Sequence, residues 1–354
     1  MSQRHELHLF ALSDEVVQEE WKEALKPYCK TIMVHYMHRG KIVLRLIKGL
    51  FTRNPFQYSY HYEKSAALEL KSIARSLNPD KIIFQLIRTV GYASIFKKEN
   101  CVLDLMDCFS YHYLLRSKRA SFPMSYFYWM EYRRIKKMES YAIDYFEKVC
   151  IISQKDQSLL PGNQAKLIVV PNGVLPGLEN NSRAKTIDLL FTGNLSYPPN
   201  IEAVKFLCKE VLPLLGDLQY QLLIAGADPH RSLRSLETAK IRVMANVEHM
   251  PDLQQSARLL IAPMFLSTGV QNKILEAMAV GLPVLTSPQA AAAIGAIPHQ
   301  HLFTAVAASD FASQIQSILA MPAGELEKIC AQAKNLTGTH FQWENNVFLL
   351  ESQL

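Results

Sequence analysis

Apolar positions along this chain fall into short dense runs, separated by stretches in which they recur every three or four residues. In the first half, HELHLFAL (5–12), CKTIMVHY (29–36), KIIFQLI (81–87), CVLDLMD (101–107) and KVCIISQ (148–154) predict strands. Between them, DEVVQEEWKEAL (14–25) and YEKSAALELKSIARSLN (62–78) carry the helical period, the second closed by Asn78-Pro79. Such alternation predicts a parallel sheet covered by helices. The pattern pauses at VVPNGV (169–174), a turn signal and hinge, and then restarts. IDLLFTG (187–193) predicts a strand ending on Gly193, NIEAVKFLCKEVLPLL (200–215) a helix behind Pro198-Pro199, and YQLLIAG (220–226) the next strand. IRVMAN (241–246), ARLLIAPM (257–264) and LPVLTS (282–287) follow as strands, and THFQWENNVFLLESQL (339–354) as an amphipathic C-terminal helix. The expected class is α/β, with two doubly wound domains meeting near residue 172. In such sheets ligands bind beyond the carboxyl ends of strands.

With 354 residues, 49% of them hydrophobic types, the chain can fill two cores. No apolar run approaches the ~20 residues of a membrane span, and the N-terminus lacks a signal-peptide layout. The six cysteines are scattered without a CxxC pair, which reads as reduced thiols in a cytoplasmic protein and not as a zinc site. Charge changes the picture more. Residues 1–172 hold 26 Lys and Arg against 17 Asp and Glu, whereas residues 173–354 hold 12 against 15. The basic first half suits an anionic substrate, a membrane surface or nucleic acid, with a solvated basic face as the plainer alternative. Two of its stretches, HRGKIVLRLIKGLFTR (38–53) and LLRSKRASFPMSYFYWMEYRRIKK (114–137), mix cations with large apolar residues as interfacial segments do. No RNA-binding motif accompanies them, so no nucleic-acid partner is expected.

The densest chemistry lies in STGVQNKILEAMAVGLPVLTS (267–287). A helix from about Val270 to Val280 is expected behind Gly269, whose missing Cβ lets a ligand approach the backbone. The first N–H groups of the helix have no intrahelical partner and, with the helix dipole, favour phosphate. Lys273 and Glu276 are three apart and share a face. Lys273 can neutralise a diphosphate, and the Glu276 carboxylate can accept hydrogen bonds from two vicinal hydroxyls, as ribose offers. The plainer alternative is a capped helix with one surface Lys–Glu pair. In the first half, Gln85, Arg88 and Tyr92 fall at and just beyond one strand end, and Asp104 and Asp107 near another. Arg88 could bind a phosphate bidentately, and Asp107 could accept a hydroxyl proton or merely hydrogen-bond it. The alternatives are a surface ion pair and a helix cap.

NKILEAMAVGLPVLTS resembles the nucleotide-sugar motif of GT-B glycosyltransferases, in the large retaining family with an E-x7-E signature and, within it, the branch associated with exopolysaccharide and lipopolysaccharide sugar transfer. FTGNLSYPPNIEAVKFLCKEVLP resembles the first strand and helix of that family's donor domain, VVPNGV its interdomain segment, and HFQWENNVFLL its crossover helix. The resemblance implies two Rossmann-like domains facing a cleft: 1–172 on the acceptor side, 173–335 holding the donor, and 336–354 a helix crossing back. Residue by residue, it implies that Glu276, as the second Glu of the signature, holds the donor ribose. Gly269 and Val270 would meet the diphosphate through their backbone, with Asn272 and Lys273 on the same helix, and Gly193 and Asn194 would form the glycine turn of the donor domain. The first Glu of the signature would fall at Thr268, which leaves the transferred sugar open, and an Arg frequent after the first donor strand is replaced by Asn194-Leu195. In the relatives about 30 residues, a β–loop–α unit, precede a segment like SQRHELHLFALSDE, so the N-terminal domain is expected to lack that unit.

The resemblance implies a metal-independent retaining transferase without cofactor; Arg88 and Asp107, from their places beyond strand ends, are the catalytic candidates. It would move a sugar from a nucleotide diphosphate to a glycan or lipid-linked acceptor in surface polysaccharide synthesis. The expected location is the cytoplasm, peripheral on the inner face of an anionic membrane. A GT-B binding or scaffold protein and a nucleotide-sugar epimerase are the alternatives.

Overall fold

The computed structural model describes residues 1–174, 184–265 and 269–353, and the chain divides into two compact units. The first is Met1–Val170 with Val347–Leu354, and the second is Pro171–Asn346. Position 268, where the first signature carboxylate would fall, lies outside the described residues.

In the first unit the order is β1 (His8–Ser13), α1 (Glu19–Leu25), β2 (Thr31–Tyr36), α2 (Arg39–Leu50), α3 (Phe56–His61), α4 (Lys64–Leu77), β3 (Ile82–Gln85), α5 (Val90–Ala93), β4 (Cys101–Met106), α6 (Phe109–Arg119), α7 (Met124–Tyr145), β5 (Lys148–Ile151), α8 (Gln154–Leu159) and β6 (Leu167–Val169). β3 to β6 form a parallel sheet in chain order, and β1 pairs with β2 in a separate parallel pair, His8 opposite Thr31 through Ser13 opposite Tyr36. Leu103 and Leu105 of β4 and Val149 and Ile151 of β5 are enclosed with Phe84, Ile143 and Phe146, since helices cover both faces of a parallel sheet.

The second unit continues with β7 (Ile187–Thr192), α9 (Pro198–Phe206), β8 (Leu222–Gly226), α10 (Arg231–Arg234), β9 (Ile241–Ala245), α11 (Met250–Gln255), β10 (Ala257–Ala262), α12 (Asn272–Ala279), β11 (Val284–Thr286), α13 (Pro288–Ala293), β12 (Phe303–Thr304), α14 (Ala308–Ala320), α15 (Ala323–His340) and α16 (Trp343–Glu351). Its six strands are all parallel in the order β12-β11-β10-β7-β8-β9. The chain winds outward from β7 to β9, then returns to the other side of β7 and winds out to β12. The switch point is therefore the carboxyl end of β7.

Three predicted helices are corrected. The 14–25 helix begins only at Glu19, because the Ser13 hydroxyl holds a local turn, donating to the Glu15 carbonyl (2.7 Å) and accepting from its N–H (3.2 Å). The 200–215 helix ends at Phe206 and passes through a π turn, Leu207–Val211, into a 3-10 turn, Leu212–Leu215, where Pro213 removes an N–H donor. The C-terminal helix is two helices. At their break the Phe341 carbonyl accepts from Val174 N–H (2.6 Å), and Val174 forms a β-bridge with Gln342. The short strands β6 and β12, three and two residues long, carry too little pattern to be seen in the sequence.

Candidate functional site

A cavity of about 380 Å³ opens at the carboxyl ends of β7 and β8. Gly193, Asn194, Val270, Asn272, Lys273 and Glu276, singled out from the sequence, all line it. Gly269 does not line it directly; its carbonyl accepts from Gln271 Nε2 at 3.2 Å. Sequence reasoning missed Thr192, Tyr197, Asn200, Gly226, Met250 and Gln271 among the lining residues. Asn200 had a signal: it is a polar residue in the first turn of α9, directly behind the proline pair and opposite the strand-end glycine.

Two glycines make the floor. Gly226 has φ +157°, and a Cβ there would lie 1.7 Å from the Gly193 carbonyl oxygen. Gly193 has φ +147°, and a Cβ there would lie 2.8 Å from Asn200 Nδ2 and 3.0 Å from Lys273 Nζ. The turn after β7 is bound to the end of β8 through Gly193 N–H to Ala225 (3.1 Å) and Leu195 N–H to Ala227 (2.7 Å). Asn194 is used within this turn, its Oδ1 accepting from Ser196 N–H (2.8 Å) and its carbonyl from Asn200 Nδ2 (2.7 Å).

Helix α12 forms one wall. It is apolar on its inner face, through Ile274, Leu275, Ala277 and Met278, and no side chain caps its N-terminus. Asn272 is held by Asn172, whose Nδ2 donates to Oδ1 at 3.0 Å. Lys273 is only 9% exposed. Its Nζ donates to Asn200 Oδ1 (2.5 Å), lies 3.7 Å from Met264 Sδ and sits 4.6 Å from the centre of the Phe191 ring. No carboxylate forms an ion pair with it among the described residues. Burial lowers its pKa to about 7, partly opposed by the charge of Glu276.

Glu276 is exposed at the mouth, yet the atoms crowding its carboxyl raise its pKa, opposed by Gln254 and Lys273. Gln254 of α11 is wholly buried and close enough to favour the Glu276 anion, but its amide makes no hydrogen bond of normal geometry. The buried Thr192 hydroxyl on the cavity wall likewise has no partner. Unpaired buried polar atoms are rare in folded proteins, and the Thr192 hydroxyl is one on the cavity wall. A buried cation with no ion-paired carboxylate among the described residues, a bare helix N-terminus and a carboxylate at the mouth can together take a ligand with an anionic end and a hydroxylated end.

Arg88 and Asp107 stand in the first unit, after the neighbouring strands β3 and β4. Arg88 lies in the turn Ile87–Thr89, with Nη1 3.4 Å from His61 Nε2. Burial, then the charge of Arg88, lowers the His61 pKa to about 4, so this imidazole is neutral at pH 7. Asp107 Oδ2 lies 2.8 Å from His112 Nε2. Tyr92 and Asp104 are used internally: the Tyr92 hydroxyl donates to the His61 carbonyl (2.7 Å), and Asp104 Oδ1 accepts from Met106 N–H (3.1 Å).

Comparison with known proteins bears on both units. Residues 186–321 match the family model described as Glycosyl transferases group 1. No curated protein sequence matches the chain. Among solved structures, sucrose-phosphate synthase from Thermosynechococcus elongatus is similar over 98% of each chain, at 13% identity and TM-score 0.68. HepE from Anabaena, in complex with UDP and glucose, is similar over 99% of each chain, at 14% identity and TM-score 0.66. A glycosyltransferase from Rickettsia africae is similar over 97% of this chain and 88% of its own, at 14% identity and TM-score 0.61. These likenesses show the fold, that of the GT-B glycosyltransferases.

Proposed function

We propose that the second unit binds a nucleoside diphosphate sugar and that the protein transfers the sugar, with retention, to a glycan or lipid-linked acceptor in surface polysaccharide synthesis. The observation that carries this reading is Lys273, a nearly enclosed amine with no ion-paired carboxylate among the described residues, beside the bare N-terminus of α12 and one turn from Glu276. The diphosphate meets Lys273 and the first N–H groups of α12. The ribose hydroxyls meet Glu276. The family match of residues 186–321 supports sugar transfer by this unit, and the UDP held by HepE makes UDP the first nucleotide to try.

In the reaction proposed, the bond between the anomeric carbon and the diphosphate oxygen breaks. A new bond to the acceptor oxygen forms on the same face, and the acceptor proton passes to the departing phosphate. No metal is needed in this scheme, because Lys273 and the helix N-terminus answer the charge that develops on the leaving group. In the first unit, Arg88 is the candidate for an acceptor phosphate and Asp107 for the acceptor hydroxyl.

Calorimetric titration of UDP, GDP and ADP, followed by turnover of the matching sugar donors with and without a glycan acceptor, tests this reading. One of the three nucleotides should bind, and its donor should be consumed with an acceptor present. Nucleotide binding without turnover would point to the scaffold alternative. A new sugar nucleotide formed from donor alone would point to the epimerase.

A further inference from the structure

Helix α2 is anchored by one face and bare on the other. Its inner side packs through Ile42 and Gly49, and Arg45 donates to Glu63 (2.9 Å) and to the carbonyls of Ser59 (3.2 Å) and Tyr60 (3.0 Å). Its outer side carries Val43, Leu44, Ile47 and Leu50, all exposed, and ends on Phe51, which is 88% exposed. Positions 43, 44, 47 and 50–51 fall on one helical face. A second exposed apolar group follows α6: Phe122, 83% exposed, then Met124, Tyr126 and Trp129, with the Arg133 guanidinium 5.0 Å from the Trp129 ring. Single exposed apolar residues are ordinary, but runs of them on adjacent elements are not.

The fold brings these two stretches together, although about 70 residues of chain separate them. Arg134 of α7 donates to the Thr52 carbonyl (2.8 Å) and reaches the Gly49 carbonyl (3.5 Å), fixing the end of α2 beside α7. Glu131 accepts from Phe56 N–H (2.8 Å), and the Phe56 and Phe127 rings lie 5.5 Å apart. Charge is as one-sided as hydrophobicity. Across 38–53 and 114–137 stand twelve Lys and Arg, and the one carboxylate, Glu131, is wholly buried and paired with Arg134.

We propose that α2 and the α6–α7 region form one surface by which the first unit lies on an anionic lipid bilayer. Val43, Leu44, Ile47, Phe51, Phe122 and Trp129 enter the headgroup boundary, and Lys41, Lys48, Arg53, Lys118 and Arg119 meet the lipid charge. Arg134 holds the two halves in register. A second copy of the chain is a poor occupant, because pairing this face with itself sets cations against cations. A bilayer rich in anionic headgroups supplies the opposite charge. This inference does not depend on the nucleotide-sugar reading, and its test uses no nucleotide.

The test is flotation of the full chain with phosphatidylcholine vesicles, with and without phosphatidylglycerol, at low and high salt. The protein should float with the anionic vesicles alone, and less at high salt. Lys48→Gln with Arg53→Gln should lower partitioning by about thirtyfold. Ile47→Ser with Phe51→Ser should lower it at both salt concentrations. Circular dichroism should stay as in the parent. In a Trp21→Phe, Trp343→Phe background, Trp129 emission should shift to the blue on anionic vesicles. Equal partitioning to both lipids, no partitioning, a dimer abolished by the Ile47 and Phe51 changes, or retention on single-stranded RNA without flotation would each overturn the proposal.

Discussion

The ammonium of Lys273 and the side-chain oxygen of Asn200 are hydrogen-bonded across 73 positions of sequence. A neutral amide is thus the polar partner of a nearly enclosed cation. An amide oxygen can orient the ammonium without neutralising it, so the charge is left for whatever enters the cavity.

That arrangement makes nucleotide binding pH-dependent. The Lys273 pKa, about 7 in the folded protein, lies below its ordinary value. Burial of its charge therefore costs stability fully below pH 7, and the cost is relieved as pH rises towards the unfolded value. Ligand binding runs the opposite way, because an anion favours the protonated amine. Affinity for the nucleoside diphosphate should fall as pH rises above 7, and binding at pH 8 should take up a proton. Titrations in buffers of different ionisation enthalpy measure that uptake; Lys273→Met should abolish it along with most of the affinity.

Glu276→Gln removes a charged acceptor at the cavity mouth and should weaken nucleoside diphosphate binding by about 1–3 kcal/mol with the fold intact. Calorimetry against the nucleotide that binds the parent measures the loss. Unchanged affinity would take Glu276 out of the site.

Gly226→Ala should destabilise the second unit by about 3 kcal/mol, since its Cβ would collide with the Gly193 carbonyl, as backbone and not as a side chain that can swing away. Gly193→Ala should destabilise the unit as well, through strain at φ +147°, and should also weaken binding, because the atoms its Cβ meets are the ends of Asn200 and Lys273. Urea denaturation beside nucleotide titration separates the two effects.

Glu139 of α7 gives a stability change of its own. It is fully buried; its Oε1 accepts from Ser110 N–H (2.8 Å) and its Oε2 has no partner. Burial raises its pKa to about 7, opposed by the Ser110 hydrogen bonds, while Asp107 raises it and His112 lowers it. A raised carboxyl pKa means stability that is present below the unfolded value and lost as pH climbs through 7. Glu139→Gln keeps an acceptor for Ser110 and should stabilise the protein by about 2 kcal/mol at pH 8 and little at pH 5. Denaturation curves at the two pH values check it; equal effects would show that Glu139 is not protonated on folding.

Much of the fold was legible because buried parallel strands leave dense apolar runs, as Leu222–Gly226 does. Lys273 and Glu276 stood out because charge interrupts an otherwise apolar helix. Thr192 and Met250 were hidden, since they acquire meaning only when the ends of β7 and β8 meet the starts of α9, α11 and α12. The helix errors came from local effects that periodicity does not register: a serine turn at Ser13, a missing donor at Pro213, and a β-bridge at Gln342. The two basic amphipathic stretches were visible separately. Their junction through Arg134 was not, because it depends on backbone carbonyls that no side-chain pattern encodes.

The bond between Val174 and Phe341 has a further consequence. The second unit begins at Pro171 and ends at Asn346, and its first and last segments are stitched to each other: Val174 N–H to Phe341, Asn346 Nδ2 to the Asn172 carbonyl (3.4 Å), and Gly173 against Trp343, where a Cβ would lie 2.5 Å from the Trp343 nitrogen. A stretch of chain whose two ends lie side by side is a cassette. Neighbouring ends are what permits rejoining in a circularly permuted order or insertion between two neighbouring attachment points of a host. Residues 171–346 have the ends of such a cassette.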